Sequence, residues 1–291
     1  PSLILGAAIA AWSSAAPAQQ PDIVTLASQD LSALSIEELA QLNVRSASKR
    51  DEPLSSVPAA LYVITGEEIL ASPATSLPEA LRLAPNLNVQ RVDARQYAIS
   101  ARGFNSVQSG NKLLALIDGR TIYTPLAATI FWELYNRPLE DIQQIEVISG
   151  PGGTLYGPNA VNGVISLISR DARETVGGLL RASAGGFEQS AALRYGVALG
   201  DNAAIRAYAH YFDRDALRPS AIAPALNTSF RGWQAGFRAD AGAGQNHFTV
   251  QGDIFDNEIG SAPGDGNRGH NLLARWSRTL SEASSFRLQH A

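Results

Sequence analysis

The chain of 291 residues contains no cysteine and no methionine. Without thiols it has no disulfide framework, no thiolate zinc or iron–sulfur site and no cysteine nucleophile. Charged residues are scarce, at 17%, and their signs nearly balance, with 23 Lys plus Arg against 27 Asp plus Glu. A basic surface for nucleic acid is not built from such a mixture. No apolar run reaches the roughly 18 residues that cross a bilayer as a helix. What is present is apolar, 45% of the chain, which is enough for a buried core and excludes a wholly disordered protein. So little charge in so long a chain implies that part of the surface faces something other than water. The missing methionine, with Pro1 at the head, leads to the expectation that the natural start lies upstream.

The head of the chain reads as an export signal. Leu3 to Trp12 is a continuous apolar and small-residue stretch, and Ala16-Pro17-Ala18 fits the small-x-small rule for cleavage before Gln19. Its length suits a signal-peptide core and is too short for a transmembrane helix. A remnant of a signal peptide is therefore expected over residues 1–18, followed by an N-terminal segment over 19–52.

Two regions of different period follow. Residues 23–170 read as mixed α/β, with a small domain over 53–170. Capping boxes are expected at Ser35-Ile36-Glu37-Glu38, Thr65-Gly66-Glu67-Glu68 and Ser76-Leu77-Pro78-Glu79, where a hydroxyl accepts from an early N–H and a Glu reaches back. The last of these helices places Leu77, Leu81 and Ala84 on one face and ends before Pro85. Short apolar strands are expected at 60–64, 113–117, 145–148 and 164–168, with Asp118-Gly119 as a turn.

Beyond about residue 175 the period becomes two. Ala191, Leu193, Tyr195, Val197 and Leu199 alternate with smaller or polar residues. The same alternation runs through 205–211, 233–240 and 247–254, and less cleanly through 272–278. Tight turns at 200–202 and 242–245 contrast with longer links at 213–230 and 256–270. Segments of about ten residues with dyad alternation, joined by alternating short and long links, fit a transmembrane barrel as well as a soluble antiparallel sheet. The export signal ahead of them favours the barrel. The residues after 170 hold about six such strands at this spacing.

Catalytic and metal motifs fail their tests. Gly150-Pro151-Gly152-Gly153 is not a phosphate loop, because no Lys and hydroxyl follow the Gly152–Gly157 spacing. No nucleophile elbow is present. The histidines 210, 247, 270 and 290 are scattered and form no short ligand cluster, and His210 and His247 are expected as solvated residues on polar strand faces. Asp253, Asp256, Glu258 and Asp265 lack the oxygen spacing of a calcium loop. No enzyme, cofactor or metal site is expected.

Four blocks then carry a specific likeness: Ile99-Ser100-Ala101-Arg102-Gly103-Phe104, the run Leu113 to Arg120, the run Pro138 to Pro151, and the run Leu155 to Ile168. Together and in this order they resemble the plug domain of TonB-dependent outer-membrane receptors. Residues that match the plug motifs are Arg102, Gly103, Asp118, Gly119, Glu146, Gly150, Pro151, Tyr156, Gly157, Asn162 and Gly163. The resemblance implies an α/β plug domain followed by a transmembrane antiparallel β-barrel of about 22 strands, of which residues 171–291 supply only the first several. On this reading the chain is the front third or so of a receptor.

The resemblance further implies an outer-membrane location in a Gram-negative bacterium, contact with outer-membrane lipid, and import driven through the TonB complex. The small-molecule substrate it implies is a ferric siderophore first, with cobalamin, haem or a glycan behind. Val44, Arg45, Ser46, Ala47 and Ser48 look like the TonB box, an extended stretch that a partner sheet can capture at its edge. Substrate-side candidates are Asn105, Ser106, Gln108 and Asn111, with Tyr123, Phe131 and Trp132. Arg102, Glu140 and Glu146 are candidates for charge pairing with the barrel in a wet, breakable interface. The family pattern has Arg where this chain has Gln144 and Ser149, so pairing at those two sites is not expected, and Glu146 is expected to turn to another group such as Arg102. A secreted soluble binding module with a β-sandwich is the reading from a different class.

Overall fold

A computed structural model describes residues 43–44, 52–53, 60–101, 103, 112–124, 129–150, 152–157, 159–217, 228–260, 264–281 and 284–291. The expected signal peptide, the Ser35 capping box, Arg45 to Ser48, Arg102, Asn105, Ser106, Gln108, Asn111 and Pro151 lie outside these residues.

The α/β unit is built on a five-stranded sheet of order β3-β10-β11-β6-β7. Its strands are β3 (Ala60–Thr65), β6 (Leu113–Ile117), β7 (Arg120–Thr121), β10 (Ile142–Ser149) and β11 (Gly163–Ser169). Only the β6–β11 pairing is parallel. The central strands are covered on both faces, which is why they read as unbroken apolar runs rather than alternating ones. On one face Ile145, Val147, Ile165 and Leu113 pack against α1 (Gly66–Ala71), α2 (Leu77–Ala80) and Trp132. On the other face Leu114, Leu116, Ile148 and Val164 pack with Ala160 and Tyr156.

The Thr65 capping box forms as expected. Thr65 Oγ1 accepts from Glu68 N, and Glu68 Oε2 accepts from Thr65 N at 2.8 Å. The Ser76 box does not form. Its Glu79 is instead held by Arg82, Arg91 and the Tyr97 hydroxyl, at 2.7, 2.8 and 2.9 Å. Leu77, Leu81 and Ala84 are buried as the helical spacing predicts, although the last turn tightens to a 3-10 form over Leu81–Leu83. The Asp118-Gly119 turn is observed, and both residues take positive φ, 51° and 79°. That geometry matches the twist of the β6–β7 hairpin it closes. The alternation did not flag the hairpin of β4 (Leu87–Arg91) and β5 (Tyr97–Ala101).

The second region is a single antiparallel sheet of seven strands in sequence order. These are β12 (Gly177–Ala184), β13 (Glu188–Ala198), β14 (Ala203–Arg214), β15 (Phe230–Ala243), β16 (Asn246–Ile259), β17 (Gly266–Ser281) and β18 (Ser284–His290). The sheet is open, with β12 and β18 at its edges. The first and last strands were not anticipated, and β16 and β17 run longer than the alternation indicated, so the link between them shrinks to 260–265. Links 199–202, 244–245 and 282–283 lie at one end of the sheet. Links 185–187, 215–229 and 260–265 lie at the other, called here the long-link end.

The polarity of this sheet is inverted relative to a water-soluble sheet. Its exposed face carries Leu180, Leu193, Tyr195, Val197, Tyr211, Trp233, Phe237, Phe248, Ile254 and Leu272. Its buried face carries Arg206, Arg214, Gln234, Arg238, Asp240, Gln251, Asp253 and Asn257, turned toward the α/β unit. Apolar-out and polar-in is the arrangement a wall needs in lipid. Aromatic rings mark the two ends of the apolar face. Phe248 stacks on Trp276, which meets Phe286 edge-on toward the short-link end, and Tyr211 pairs in register with Trp233 toward the other. No helix among the described residues is long and apolar enough to cross a membrane, a statement that does not touch strands.

Candidate functional site: the domain–wall contact and the apex

The α/β unit meets the wall through charge. Asp118, at the corner of the β6–β7 hairpin, is the hub. Its carboxylate accepts from Ser169 N at 2.9 Å, Ser169 Oγ at 2.7 Å and Gln251 Nε2 at 2.8 Å. Arg137 and Arg238 lie 3.6 and 3.7 Å away, and Arg275 donates to the Asp118 carbonyl. Burial alone would lift the Asp118 carboxyl, but Arg238, Arg137, the Ser169 N–H and Gln251 overcome it and hold the pKa at about 2. Arg137 bridges onward to Asp253 on β16 at 3.3 Å.

A second node is Asp141, which takes Arg194 at 2.6 Å and faces Arg206 at 3.5 Å. Between the nodes, Asn136 donates its N–H to Gln234 Oε1 at 2.7 Å, and its carbonyl meets His210 Nδ1 at 2.5 Å. His210 is therefore a buried contact to the α/β unit and not the solvated residue expected. Glu140 pairs with Arg181 at 2.9 Å, as its candidacy for barrel pairing anticipates. That pair alone has the exposed, breakable character expected, because the Arg181 side chain is 39% exposed. The Asp118 and Asp141 nodes are buried, which corrects the picture of a wet interface.

The fold also gathers residues that sequence spacing left scattered. Asp171, Asp240 and His247 bring one ligand-type atom each within 4.8 Å of one another. Both carboxylates are already engaged. Asp240 accepts from Arg238, Thr249 and the Ala172 N–H, and Asp171 accepts from Arg173. The Arg173 hydrogen bonds hold the Asp171 carboxyl below its ordinary value against the lift of burial. The group is a clasp between the exit of the α/β unit and the wall.

At the long-link end the contact changes character. The tip of the β4–β5 hairpin sets Ala94 among Phe212 and Phe230. Beside it Thr75 Oγ1 donates to Glu188, which holds Arg214. Arg95 links this tip to Glu133 at 3.0 Å. Burial raises the Glu133 carboxyl above its usual value, despite Arg95. Val92 and Phe131 stand exposed at this apex, at 49% and 36%, whereas Trp132 is 5% exposed and belongs to the core. Tyr123 is half-buried and packs against both core clusters.

These features find their counterpart in known proteins. Residues 53–164 match the TonB-dependent Receptor Plug Domain family. They form a TonB-dependent receptor plug, and the chain has the plug-and-strand build of these receptors. The chain is 34% identical over 151 residues to the vitamin B12 transporter BtuB of Vibrio vulnificus, a match covering 51% of this chain and 24% of that protein. A match to the ferrioxamine receptor of Yersinia enterocolitica is 25% identical over 257 residues and reaches into the strands, covering 81% of this chain and 35% of that one. Among solved structures, the ferric-catecholate import receptor Fiu of E. coli superposes with a TM-score of 0.64 at 20% identity, over 86% of this chain and 40% of that one, a likeness of fold. The chain thus spans about a quarter to a third of the length of these curated relatives. Its location, like theirs, is the outer membrane of a Gram-negative bacterium.

The plug motifs can now be placed. Gly150 and Gly157 take φ of 135° and 88°, and Gly103 takes 80°. Asn162 donates to the Gly103 carbonyl at 3.3 Å and accepts at its own carbonyl from Gly150 N at 3.0 Å, so it ties three motif segments together. Gly163 has the Ile148 carbonyl where a Cβ would stand, so a larger residue would break the β10–β11 pairing. Tyr156 lies over the second core face, and burial, followed by Glu146, pushes its hydroxyl up to about 12. Where the family has Arg, Gln144 donates to Glu146 at 2.7 Å and Ser149 accepts from Asn86 at 2.7 Å. Both substitutions are satisfied inside the plug. Among the described residues, Asp118, Arg137, Glu140 and Asp141 pair with charges of the wall, and of these only Glu140 was anticipated.

Proposed function

We propose that this chain is the plug and first wall strands of an energised outer-membrane transporter that imports a scarce metal chelate. A ferric siderophore is the first substrate class and cobalamin the second. The observation that carries this is the polarity of the contact: a folded plug held by lumen-facing charges against a wall whose other face is apolar. A barrel wide enough for a chelate would leak without such a filling domain, and a filling domain that must be remodelled is better held by polar contacts than by a fused apolar core. By this reading further strands complete the barrel, and the long-link end is the outer face. Residues 1–18 are the export signal, 19–52 the periplasmic segment, 53–170 the plug and 171–291 the start of the barrel.

The energy input is assigned to TonB through Val44 to Ser48. Val44 lies in β1 (Asn43–Val44), paired with β2 (Glu52–Pro53), so an extended segment stands just before the plug. Substrate is assigned to the apex, where Phe131 and Val92 are exposed; Asn105, Ser106, Gln108, Asn111 and Tyr123 remain candidates from the sequence, the first four outside the described residues. Trp132 contributes through the core. The role is a receptor's, with no reaction catalysed. The test is growth of a strain lacking the gene on ferrioxamine, other ferric hydroxamates, ferric catecholates, haem and cobalamin as sole sources. Loss of growth on one of these, restored by the gene, supports the reading. Recovery of the mature protein in the soluble periplasm without detergent would sink it.

A further inference from the structure

At the long-link end one small side chain is seated in an aromatic socket. Ala94 is 0% exposed, as are Phe212 and Phe230, with Phe187 and Ile259 packed beside them. The Phe212 and Phe230 rings lie 5.2 Å apart and tilted. The tip that carries Ala94 is rigid by construction. Asp93 Oδ1 accepts from Arg95 N and Gln96 N at 2.8 and 2.7 Å, and Val92 N donates to the Gln96 carbonyl at 2.9 Å. Arg91 lies over the Phe187 ring at 4.7 Å and the Tyr97 ring at 5.3 Å, and Arg95 reaches Glu133 on the second apical segment.

The socket residues have a particular place in the chain. Phe212 and Phe230 flank the 215–229 link, the longest at this end. Asp215 N at the start of that link donates to the Phe187 carbonyl at 2.8 Å, and Ser229 at its end accepts from Gly260 N at 2.8 Å. One alanine of the plug thus sits at the root of the longest outer link, while the residues on either side of it grip the apex. A close-packed contact of this kind has few intermediate positions, so displacement of the facing ends of β14 and β15 displaces the tip.

We propose that Ala94 is a positioning residue, whose seat in the Phe212–Phe230 socket fixes the β4–β5 hairpin tip relative to the facing ends of β14 and β15 and so shapes the substrate site. The word substrate rests on the function proposed above; the mechanical coupling does not. The chain has no cysteine, so a nitroxide pair at Val92→Cys and Asp215→Cys reports the separation of tip and link in the full-length protein in detergent. A single narrow distance distribution is expected. Ala94→Trp, which cannot enter the socket, and Phe212→Ala, which empties it, should each broaden the distribution, while Ala94→Ser retains it. Binding of ferrioxamine and cyanocobalamin is measured alongside, and whichever binds should weaken at least tenfold in Ala94→Trp and less than twofold in Ala94→Ser. A distribution that stays narrow in both Ala94→Trp and Phe212→Ala overturns the coupling. Unchanged affinity despite a broadened distribution overturns the positioning role. Failure of both probes to bind the unmutated protein counts against the chelate reading, and the distances still decide the coupling.

Discussion

The plug touches its wall in two chemically different ways. Toward the short-link end, Asp118, Arg137, Arg238, Asp141 and Arg194 form a buried ionic mesh. Toward the long-link end, Ala94 enters a socket of phenylalanines, with the Glu188–Arg214 pair as its neighbour. The difference concerns how each contact fails. An apolar socket resists opening until its rings separate. An ionic mesh holds only while every charge has its partner, and water admitted at one edge can replace its bonds one by one. On the function proposed above, the ionic mesh at the short-link end is expected to yield first while the apex keeps its register.

The contrast can be broken most strongly at its hub. Asp118→Ala takes one carboxylate from two buried guanidiniums that keep Asp253 and Asp240, and leaves Gln251 and Ser169 without their acceptor; it should cost about 1–3 kcal/mol of plug seating. The measurement is amide exchange of β6 and β11, which should rise while that of the Val92–Gln96 tip stays low. Asp118→Asn should cost less, because Asn tolerates the positive φ and keeps part of the hydrogen bonding.

Acid should do the same reversibly. The Asp118 carboxyl is depressed to about 2 in the folded plug. Its contribution is therefore complete above the ordinary carboxylate range of about 4 and is lost as pH falls from there through about 2. Exchange at the short-link contact should accelerate over that window before exchange at the aromatic socket does.

Smaller effects sharpen the comparison. Thr65→Ala removes the cap of α1 and should cost about 1 kcal/mol, read as a lower denaturation midpoint with no change in wall strands. Glu140→Gln removes the half-exposed pair with Arg181. It should cost about 0–1 kcal/mol and less at high salt, in contrast to the salt-insensitive hub.

The same comparison explains what the sequence could reveal. The wall was readable because its strands keep a strict period of two, apolar toward lipid and polar toward the plug. Its first and last strands escaped because Gly177-Gly178 and Ser284-Ser285 open them without an apolar residue. The plug strands were readable as short apolar runs, and the Asp118-Gly119 turn from its residue types. The ionic mesh was mostly hidden. Asp118 meets Gln251 across 133 residues of sequence, and only the register of β15 and β16 brings Arg238 and Gln251 side by side. The Ser76 box failed because Arg82, Arg91 and Tyr97, all later in the chain, compete for Glu79. Nothing in Val92-Asp93-Ala94-Arg95-Gln96 marks Ala94 as buried; a polar tip with one small apolar residue reads as an ordinary turn.

The proposed function is energised import through a plugged barrel. It is tested most directly by radiolabelled chelate in cells carrying the full-length protein with and without Val44 to Ser48. Surface binding unchanged by the deletion, with accumulation inside the cell abolished, is expected. Equal accumulation with and without those residues would contradict it.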